Sequence, residues 1–370
     1  MKRKLTVFAA LSLFILMFGA CNDPVFYMIS EEIEVLKPYI AGSPSNIVLL
    51  DGDMFVAAGH NLYRYSDDGG GYKWSISRRY DHRIIQIAGP VNGSLYALFL
   101  NDGNNNRFIQ QINTGSNMPL GDNKIEITSV IQSMYAANGC LFISALDDDE
   151  YETYYSTDGE NITLIENTSS NHGRLNGIAH NTTGYFLSME SERVGDKNIG
   201  GIFHTADPAS PAALIPGSDN GIVGILALED ASVVAVNRNG VLYNVTSASI
   251  TASGISFPAD PQRHSNGALA IVKENGENKL LAGRQDSLQT SLRTGYSYGY
   301  LELTLDGDSL PVSGNFIEPD ISNFPSSIGR NPVNSIVQGP CGTVFASTQN
   351  NGLWSLRPRR AGVISWNSEQ

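Results

Sequence analysis

The densest group of side chains that could bind a metal ion is an acidic run at positions 147–150. Its members are Asp147, Asp148, Asp149 and Glu150. Carboxylate oxygens are ligands that Ca²⁺ prefers, so the run is a candidate calcium site. Its spacing matches no EF-hand loop, and a run of like charges is typical of a solvated loop. The sequence therefore favours the solvated loop over Ca²⁺, and no other cofactor is expected.

A second candidate group combines cationic and aromatic side chains. It consists of Arg284, Arg293, Tyr296 and Tyr298. Guanidinium groups supply planar hydrogen-bond donors and tyrosines supply flat faces, as a glycan or peptide site requires. Ordinary packing of strands and loops explains the same residues equally well.

Motifs that mark common catalytic sites are missing from the sequence. The six histidines are scattered without a His-Glu-x-x-His pair, and there is no Gly-x-Ser-x-Gly segment. A pair of carboxylates for cleaving glycosides cannot be recognised without knowing which loops meet. These observations favour binding over catalysis, and they leave a glycoside hydrolase or lyase as an alternative.

The charge of the chain excludes one class of partner. It has 24 Lys and Arg against 37 Asp and Glu, a formal net charge of −13. No basic stripe is present that could neutralise phosphates. Nucleic acid is therefore not an expected partner.

The elements that must position these residues form a repeated unit. An apolar strand, a tight turn, a second apolar strand, a gap and a third strand with an aromatic residue recur seven times. The second strands begin near positions 54, 95, 141, 185, 232, 279 and 343, and a fourth strand is plausible in several units. Four short strands in about 45 residues are typical of a β-propeller blade.

We therefore predict an all-β fold, a β-propeller over residues 41–370. Seven blades are favoured over six or eight, and residues 25–38 could add a closing strand. A double-sheet sandwich is the alternative, although 330 residues would be long for one. In a propeller, loops from second to third strands share a face with the loops that join blades. These loops are expected to be long in four units, at 101–106, 147–152, 190–199 and 284–297, which predicts a binding face.

The segment YSDDGGGYKW at positions 65–74 resembles the Asp-box, Ser-x-Asp-x-Gly-x-x-Trp, with one additional residue. The resemblance assigns Ser66, Asp68 and Trp74 to the motif, and STDG at 156–159 repeats its first half with Ser156 and Asp158. It implies a propeller of the BNR or sialidase type, in which the motif turns the hairpin between the third and fourth strands. The motif is structural and implies no activity, and the Arg-Ile-Pro segment of sialidases is missing.

The first 21 residues, MKRKLTVFAALSLFILMFGAC, are a basic start, a short apolar run and a small-residue cleavage site. They resemble a bacterial lipoprotein signal. The resemblance implies that residues 1–20 are removed, that Cys21 is fatty-acylated, and that residues 21–40 are a tether to a lipid bilayer. It places the protein in the cell envelope, with the outer membrane favoured over the inner one. The alternative is an ordinary signal peptide with a chance cysteine.

The two remaining cysteines, Cys140 and Cys341, both precede a second strand, but in units three and seven. These turns lie well apart in a ring of seven blades, whereas a disulfide needs α-carbons within about 7 Å. We predict two free, mostly buried thiols.

The sequence thus predicts a membrane-anchored, non-catalytic propeller that binds an unknown protein or glycan through its loop-rich face. The glycoside hydrolase or lyase remains one alternative. An assembly scaffold at the outer membrane is the other.

Overall fold

The repeated unit of the sequence folds as a small antiparallel sheet in a computed structural model. The described residues are 39–67, 69–115, 117–166, 173–194, 197–219, 221–237, 239–257, 265–284, 300–317, 332–358 and 364–369. All of them belong to the compact unit Pro38–Gln370. They form seven sheets, in which neighbouring strands follow one another in sequence order except for one strand added at an edge.

The first three blades each contain four strands. Blade 1 consists of β1 (Val48–Leu50), β2 (Asp53–Ala58), β3 (Asn61–Asp67) and β4 (Tyr72–Arg79). Blade 2 consists of β5 (Arg83–Val91), β6 (Ser94–Leu100), β7 (Arg107–Ile112) and β8 (Leu120–Ile125). Blade 3 consists of β9 (Val130–Ala137), β10 (Cys140–Asp147), β11 (Glu150–Ser156) and β12 (Thr163–Leu164).

Blades 4 and 7 also contain four strands, whereas blade 5 gains a fifth strand and blade 6 contains three. Blade 4 consists of β13 (Leu175–Asn181), β14 (Gly184–Val194), β15 (Lys197–Thr205) and β16 (Ala213–Leu214). Blade 5 consists of β17 (Ile222–Ala227), β18 (Val233–Asn237), β19 (Val241–Val245) and β20 (Ile250–Ser256). Blade 6 contains β21 (Ser265–Glu274), β22 (Glu277–Arg284) and β23 (Tyr300–Thr304). Blade 7 consists of β25 (Val333–Gln338), β26 (Val344–Thr348), β27 (Leu353–Pro358) and β28 (Ile364–Ser368).

Blades 5 and 6 share their outer edge. The short strand β24 (Gly314–Asn315) pairs in parallel with β20 and so adds a fifth strand to blade 5. Two residues later, Ile317 forms an antiparallel bridge with Glu302 of β23. One segment therefore closes the outer edge of blade 6 and also contacts its neighbour.

The second strand of each blade is apolar on both faces because both faces contact neighbouring blades. In β18 all five residues are buried. The turn that leads into several second strands is an Asn-Gly pair with positive φ at both residues, such as Asn138 (46°) and Gly139 (74°). Such turns match the twist of an antiparallel hairpin.

The core consists of seven apolar layers, one at each blade junction of the described chain. Trp74 lies in the layer between blades 1 and 7, and Trp354 in the layer between blades 6 and 7. Because each small sheet buries its faces only against its neighbours, the blades must close into a ring. The prediction of an all-β propeller with seven blades is confirmed.

Polar side chains join the innermost strands of neighbouring blades. The Asn46 amide donates from Nδ2 to Ile87 O (2.6 Å) and accepts from Ile87 N (3.1 Å). The Gln86 amide binds Met134 O (2.6 Å) and Met134 N (3.0 Å) in the same way. These amide bridges replace the sheet hydrogen bonds that separate blades cannot make.

Both ends of the described chain meet at blade 7. Tyr39 N donates to Glu369 O (2.5 Å), Leu353 N to Ile40 O (3.0 Å) and Gly352 N to Gly42 O (2.7 Å). All four strands of blade 7 come from one stretch of chain, so residues 39–42 reinforce the ring from its edge. The possible closing strand at 25–38 lies outside the described residues.

Cys140 and Cys341 are both free, as predicted. Cys140 is buried, but the prediction of burial is wrong for Cys341, which is exposed. Cys341 lies in the turn before β26, next to Gly342 with φ of 81°, and its Sγ contacts the Tyr65 hydroxyl (3.4 Å) at the edge of the layer between blades 1 and 7.

None of the residues that the structure describes belongs to a helix with the length and apolar character needed to cross a membrane.

Candidate functional site

A cavity of about 540 Å³ opens on the axis of the ring. The beginnings of the innermost strands form its wall, so every blade contributes. Blades 1 to 4 and blade 7 present amides, namely Asn46, Gln86, Gln132, Asn176 and Asn334. Blades 5 and 6 present the apolar side chains Val223, Ile225 and Leu269. Ile85, Ile178 and Ile336 line it too, so the wall of this axial cavity is mixed at the blades that carry amides and apolar at blades 5 and 6.

Arg174 is the one charged side chain among the described residues that line the axial cavity. Its Nη2 forms an ion pair with Glu190 Oε2 (3.2 Å), and Glu190 N donates to Arg174 O (2.7 Å). Arg107 lies nearby and donates from Nη1 to Ile131 O (2.8 Å). Burial, and then the charge of Arg174, lower the pKa of Arg107. The mouth of the cavity thus carries positive charge beside one carboxylate.

Tyr135 gives the cavity a neutral hydrogen-bond donor. Burial raises the pKa of Tyr135, and the Arg174 guanidinium and a hydrogen bond with Gln86 offset this only in part. The phenol stays protonated at neutral pH and can donate to a ligand oxygen.

Asn176 gives the cavity a hydrogen-bond acceptor, which complements the Tyr135 donor. Its Nδ2 donates to Ile222 O (3.0 Å), while its buried Oδ1 has no hydrogen-bond partner among the described residues. A buried acceptor without a donor costs about 1–3 kcal/mol. A ligand with a hydroxyl or amide N–H can remove that cost.

Blade 4 carries an arm, in which its second and third strands pair beyond the end of its first strand. The ladder of β14 with the innermost strand ends at Leu175↔Met189, but β14 and β15 continue to pair through Glu192↔Ile199 and Val194↔Lys197. Five residues at about 3.3 Å each make the arm roughly 17 Å long. Glu190, at its base, pairs with Arg174, so the arm rises beside the mouth of the axial cavity.

The acidic run is not part of a long loop. Asp147 pairs directly with Glu150, and Asp148 and Asp149 have positive φ of 40° and 73°. They form a two-residue turn of the kind that joins tight hairpins, so the long loop predicted at 147–152 is wrong. Among the described residues, no group of three or more His, Cys, Asp or Glu side chains is placed to hold a metal ion.

The other predicted long loops have different outcomes. The loop 101–106 is present and is shaped by its own amides, since Asn101 Oδ1 accepts from Gly103 N (3.0 Å) and Asn104 Oδ1 from Asn106 N (3.0 Å). Most of the predicted loop 190–199 is instead strand, because the β14–β15 ladder continues through it.

The cationic and aromatic group remains a prediction. Arg284 is the last residue of β22, where it pairs with Ser265. Arg293, Tyr296 and Tyr298 lie outside the described residues, as does Cys21.

In the second copy of the predicted Asp-box, Ser156 is the last residue of β11 and Asp158 lies in the turn between β11 and β12. Asp158 Oδ1 accepts from Ser156 Oγ (3.0 Å), Glu160 N (2.8 Å) and Asn161 N (2.8 Å). Gly159, with φ of 77°, lies so close to the Tyr96 hydroxyl that a larger residue would collide with it.

In the first copy the turn is organised by Asp67, whose Oδ1 accepts from Gly69 N (2.8 Å) and Gly71 N (3.0 Å). Asp68, the predicted residue, lies outside the described residues, and Ser66 is buried in β3. Asp67 precedes the predicted position by one residue, and its carboxylate reaches backbone N–H groups on both sides of the longer turn.

The sequence analysis did not identify Arg174 or the five amide side chains that line the axial cavity. A signal for the amides exists, because each first strand of units one to four and seven has an Asn or Gln just before it or within its first four residues, among apolar residues. Only the ring places these amides around one axis.

No protein-family model matches the sequence, and no curated protein matches it. Solved structures do resemble the chain. Virginiamycin B lyase from Staphylococcus aureus has a TM-score of 0.54 at 14% identity, covering 84% of this chain and 93% of that one. The WD40 β-propeller domain of Doa1 has a TM-score of 0.55 at 9% identity, covering 87% and 95%. YCF48 from Cyanidioschyzon merolae has a TM-score of 0.52 at 10% identity, covering 86% and 97%. At such low identity these likenesses establish the fold alone, and the chain is a β-propeller.

Proposed function

We propose that this protein is a lipoprotein of the bacterial cell envelope whose propeller binds a protein or glycan partner without catalysing a reaction. The observation that carries the proposal is the axial cavity with the arm at its mouth. A volume of about 540 Å³ lies within the range of ligand pockets in proteins. Its amides, the Tyr135 phenol and Arg174 suit polar groups of a sugar or a peptide segment.

The composition of the wall argues for binding. Cleavage of glycosides requires two carboxyl groups flanking the scissile bond. The described residues that line the axial cavity include no carboxylate, no histidine and no cysteine. Glu190, at the base of the arm, forms an ion pair with Arg174. The glycoside hydrolase or lyase alternative therefore finds no support in this wall, and likeness to a lyase in fold carries no activity.

The proposal of an anchor rests on the leader sequence and Cys21. The turns at Asp67 and Asp158 support a propeller with Asp-box-like hairpins, because both carboxylates accept backbone N–H groups within the turn. The net negative charge keeps the body away from anionic lipid surfaces.

The binding proposal is tested with the purified chain from which residues 1–21 are removed. Saccharides of one to three residues and tripeptides are screened by thermal unfolding, and compounds that raise the melting temperature are measured by calorimetry. We expect members of one class to bind, and Arg174→Ala and Asn334→Ala to weaken binding about tenfold. Arg83→Ala, an exposed arginine outside the cavity wall, is the matched control. Absence of binding by both classes, or equal binding by all variants, would refute the proposal.

The anchor is tested in cells that express the full chain. An alkyne-tagged palmitate should label the protein in the membrane fraction, and Cys21→Ala should lose the label and move to the soluble fraction. Labelling that persists in Cys21→Ala would contradict acylation at this residue. Protease treatment of intact cells separates a surface-facing protein from a periplasmic one. Co-purification with membrane barrels would instead favour the assembly scaffold.

A further inference from the structure

A second cavity, of about 220 Å³, lies at the junction of blades 1 and 2, away from the axis. Its rim is formed by Arg78 and Arg79 at the end of β4 and by Lys124 on β8. We call it the blade 1–2 cleft. The chain has a formal net charge of −13. Three cationic side chains around one small cavity therefore form a positively charged patch on an otherwise acidic protein.

Aromatic rings form a rigid back wall to this cleft. Phe99 and Phe108 are stacked with centroids 5.3 Å apart, and Tyr80 meets Phe99 edge to face at 5.5 Å. The Tyr80 hydroxyl donates to Met118 O (2.8 Å), and burial raises the pKa of Tyr80 despite the nearby Arg78. The wall is therefore apolar and neutral, and charge–charge interactions beside it are stronger than in bulk water.

The cations on the rim are held by this wall. The Arg78 guanidinium lies 5.6 Å from the centre of the Tyr80 ring, and its Nη1 donates to Asn117 O (3.1 Å). Lys124 Nζ lies 4.5 Å from the centre of the Phe108 ring and pairs with the exposed Glu126 (2.6 Å). Arg79 is exposed and makes no ion pair with a described residue. The cleft thus offers two guanidinium groups to an anion, with Lys124 already neutralised in part.

The net negative charge of the chain limits the kind of anionic ligand that the cleft can bind. A polyanion would meet repulsion over the rest of the acidic surface, whereas a single charge is screened beyond about 8 Å at physiological salt. The cavity is also larger than a bare ion needs, since one water occupies about 30 Å³ of liquid. The ligand therefore has one anionic group on a small body.

Among the remaining polar side chains of the cleft, Asp81 and Gln110 offer hydrogen-bond acceptors, and His82 lies edge to face against the Phe108 ring. Asp81 lines the cleft, and Gln110 donates from Nε2 to Gly121 O (2.9 Å), which leaves its Oε1 as an acceptor. A ligand that carries hydroxyls beside its anionic group can donate to Asp81 and Gln110, which a bare anion cannot do. We propose that the blade 1–2 cleft binds an acidic monosaccharide unit, a hexuronic acid, with its carboxylate on Arg78 and Arg79 and its hydroxyls on Asp81 and Gln110.

The probes are D-glucuronate, D-glucose and inorganic phosphate, each titrated by calorimetry into the chain that lacks residues 1–21. We expect glucuronate to bind and glucose and phosphate to bind at least tenfold more weakly, because only glucuronate satisfies both the cations and the acceptors. Arg79→Gln should weaken glucuronate binding about tenfold or more, and Arg79→Lys should restore part of it. Asp81→Asn should improve phosphate binding and not glucuronate binding.

Arg83→Gln is the matched control, since it removes one exposed positive charge close to Arg79 in sequence but outside the cleft. It should leave glucuronate affinity within twofold. Arg79→Gln should leave the binding of uncharged saccharides and tripeptides by the axial cavity unchanged, which distinguishes failure of this proposal from failure of the proposed function. Phosphate binding as tight as glucuronate, glucuronate binding that survives Arg79→Gln, or no glucuronate binding at millimolar concentration would each overturn the proposal.

Discussion

Single carboxylates organise the outer turns of this propeller, and Asp158 shows how. Hydrogen bonds from the Asn161 side chain and from the backbone N–H groups of Glu160 and Asn161 favour the ionised form. They hold the pKa of Asp158 well below its ordinary value of 3.8, although the residue is exposed. The turn therefore depends on the charge of this residue.

Replacement of Asp158 should give a pH-dependent loss of stability. Because the pKa is lowered in the folded state, the stabilisation is present above about pH 4 and is lost as the pH falls through the folded-state pKa. We expect Asp158→Asn to lower the free energy of unfolding by about 1 kcal/mol at pH 6, a modest value because the turn is solvated. The difference from the wild type should narrow below about pH 4. Urea unfolding at several pH values measures it, with Glu160→Gln as the control, and a pH-independent difference would contradict the argument.

The two thiols should differ in reactivity. Partial burial raises the pKa of Cys341, but hydrogen bonds with Thr343 and Tyr65 outweigh it and leave this pKa lowered. Since the thiolate is the nucleophile, iodoacetamide should alkylate Cys341 in the native protein and Cys140 only after unfolding. Thr343→Val should shift the pH dependence of alkylation upward. Mass spectrometry of a Cys21→Ser variant reads out both sites, and equal labelling of the two thiols would count against this account.

At the scale of elements, the amide bridges between innermost strands deserve a direct test. Gln86 lies on β5 and binds both backbone groups of Met134 on β9. Without the amide, a donor and an acceptor between blades 2 and 3 lose their partners. Such groups cost about 1–3 kcal/mol each when buried.

We expect Gln86→Ala to lower the free energy of unfolding by about 2 kcal/mol. Gln349→Ala, in an exposed turn after β26, should change it by less than about 0.5 kcal/mol. Chemical unfolding monitored by circular dichroism compares the two variants. A Gln86→Ala protein as stable as the control would show that water replaces the bridge.

At the scale of the whole molecule, the ring depends on the contact between its two ends. Ile40 is fully buried in the layer between blades 1 and 7, together with Phe345 and Leu353. The same segment binds Glu369 and Leu353 through its backbone. Because each blade is stabilised by both neighbours, loosening this junction weakens the entire ring.

Ile40→Ala should therefore destabilise the protein by about 2–5 kcal/mol, the range for large-to-small changes in a core. Leu49→Ala, on the exposed face of β1, should have a small effect because Leu49 is 47% exposed. Thermal unfolding of the two variants is the comparison. Equal melting temperatures would mean that residues 39–42 do not hold the ring closed.

Much of the fold was predictable because the apolar pattern repeats. Strands such as β18 are buried on both faces and read as continuous apolar runs, and Asn-Gly turns mark the hairpins. Loop lengths were less predictable. Polar residues at 147–152 and 190–199 look alike in sequence, yet one segment is a two-residue turn and the other is a long arm. Whether such a segment forms a tight turn or an arm depends on how its backbone pairs, and the polarity of its side chains does not indicate that pairing.

The sequence by itself determined the all-β class, the seven repeats and the separation of the two cysteines, because these follow from local periodicity and spacing. It also contains the leader and Cys21, on which the proposal of an anchor rests. Only the tertiary structure decided which residues meet. Asn46, Gln86, Gln132, Asn176 and Asn334 belong to five different blades and share one cavity. Arg78 and Lys124 are far apart in sequence and flank one aromatic wall. Closure of the ring brings such residues together, and no local pattern encodes contacts across that distance.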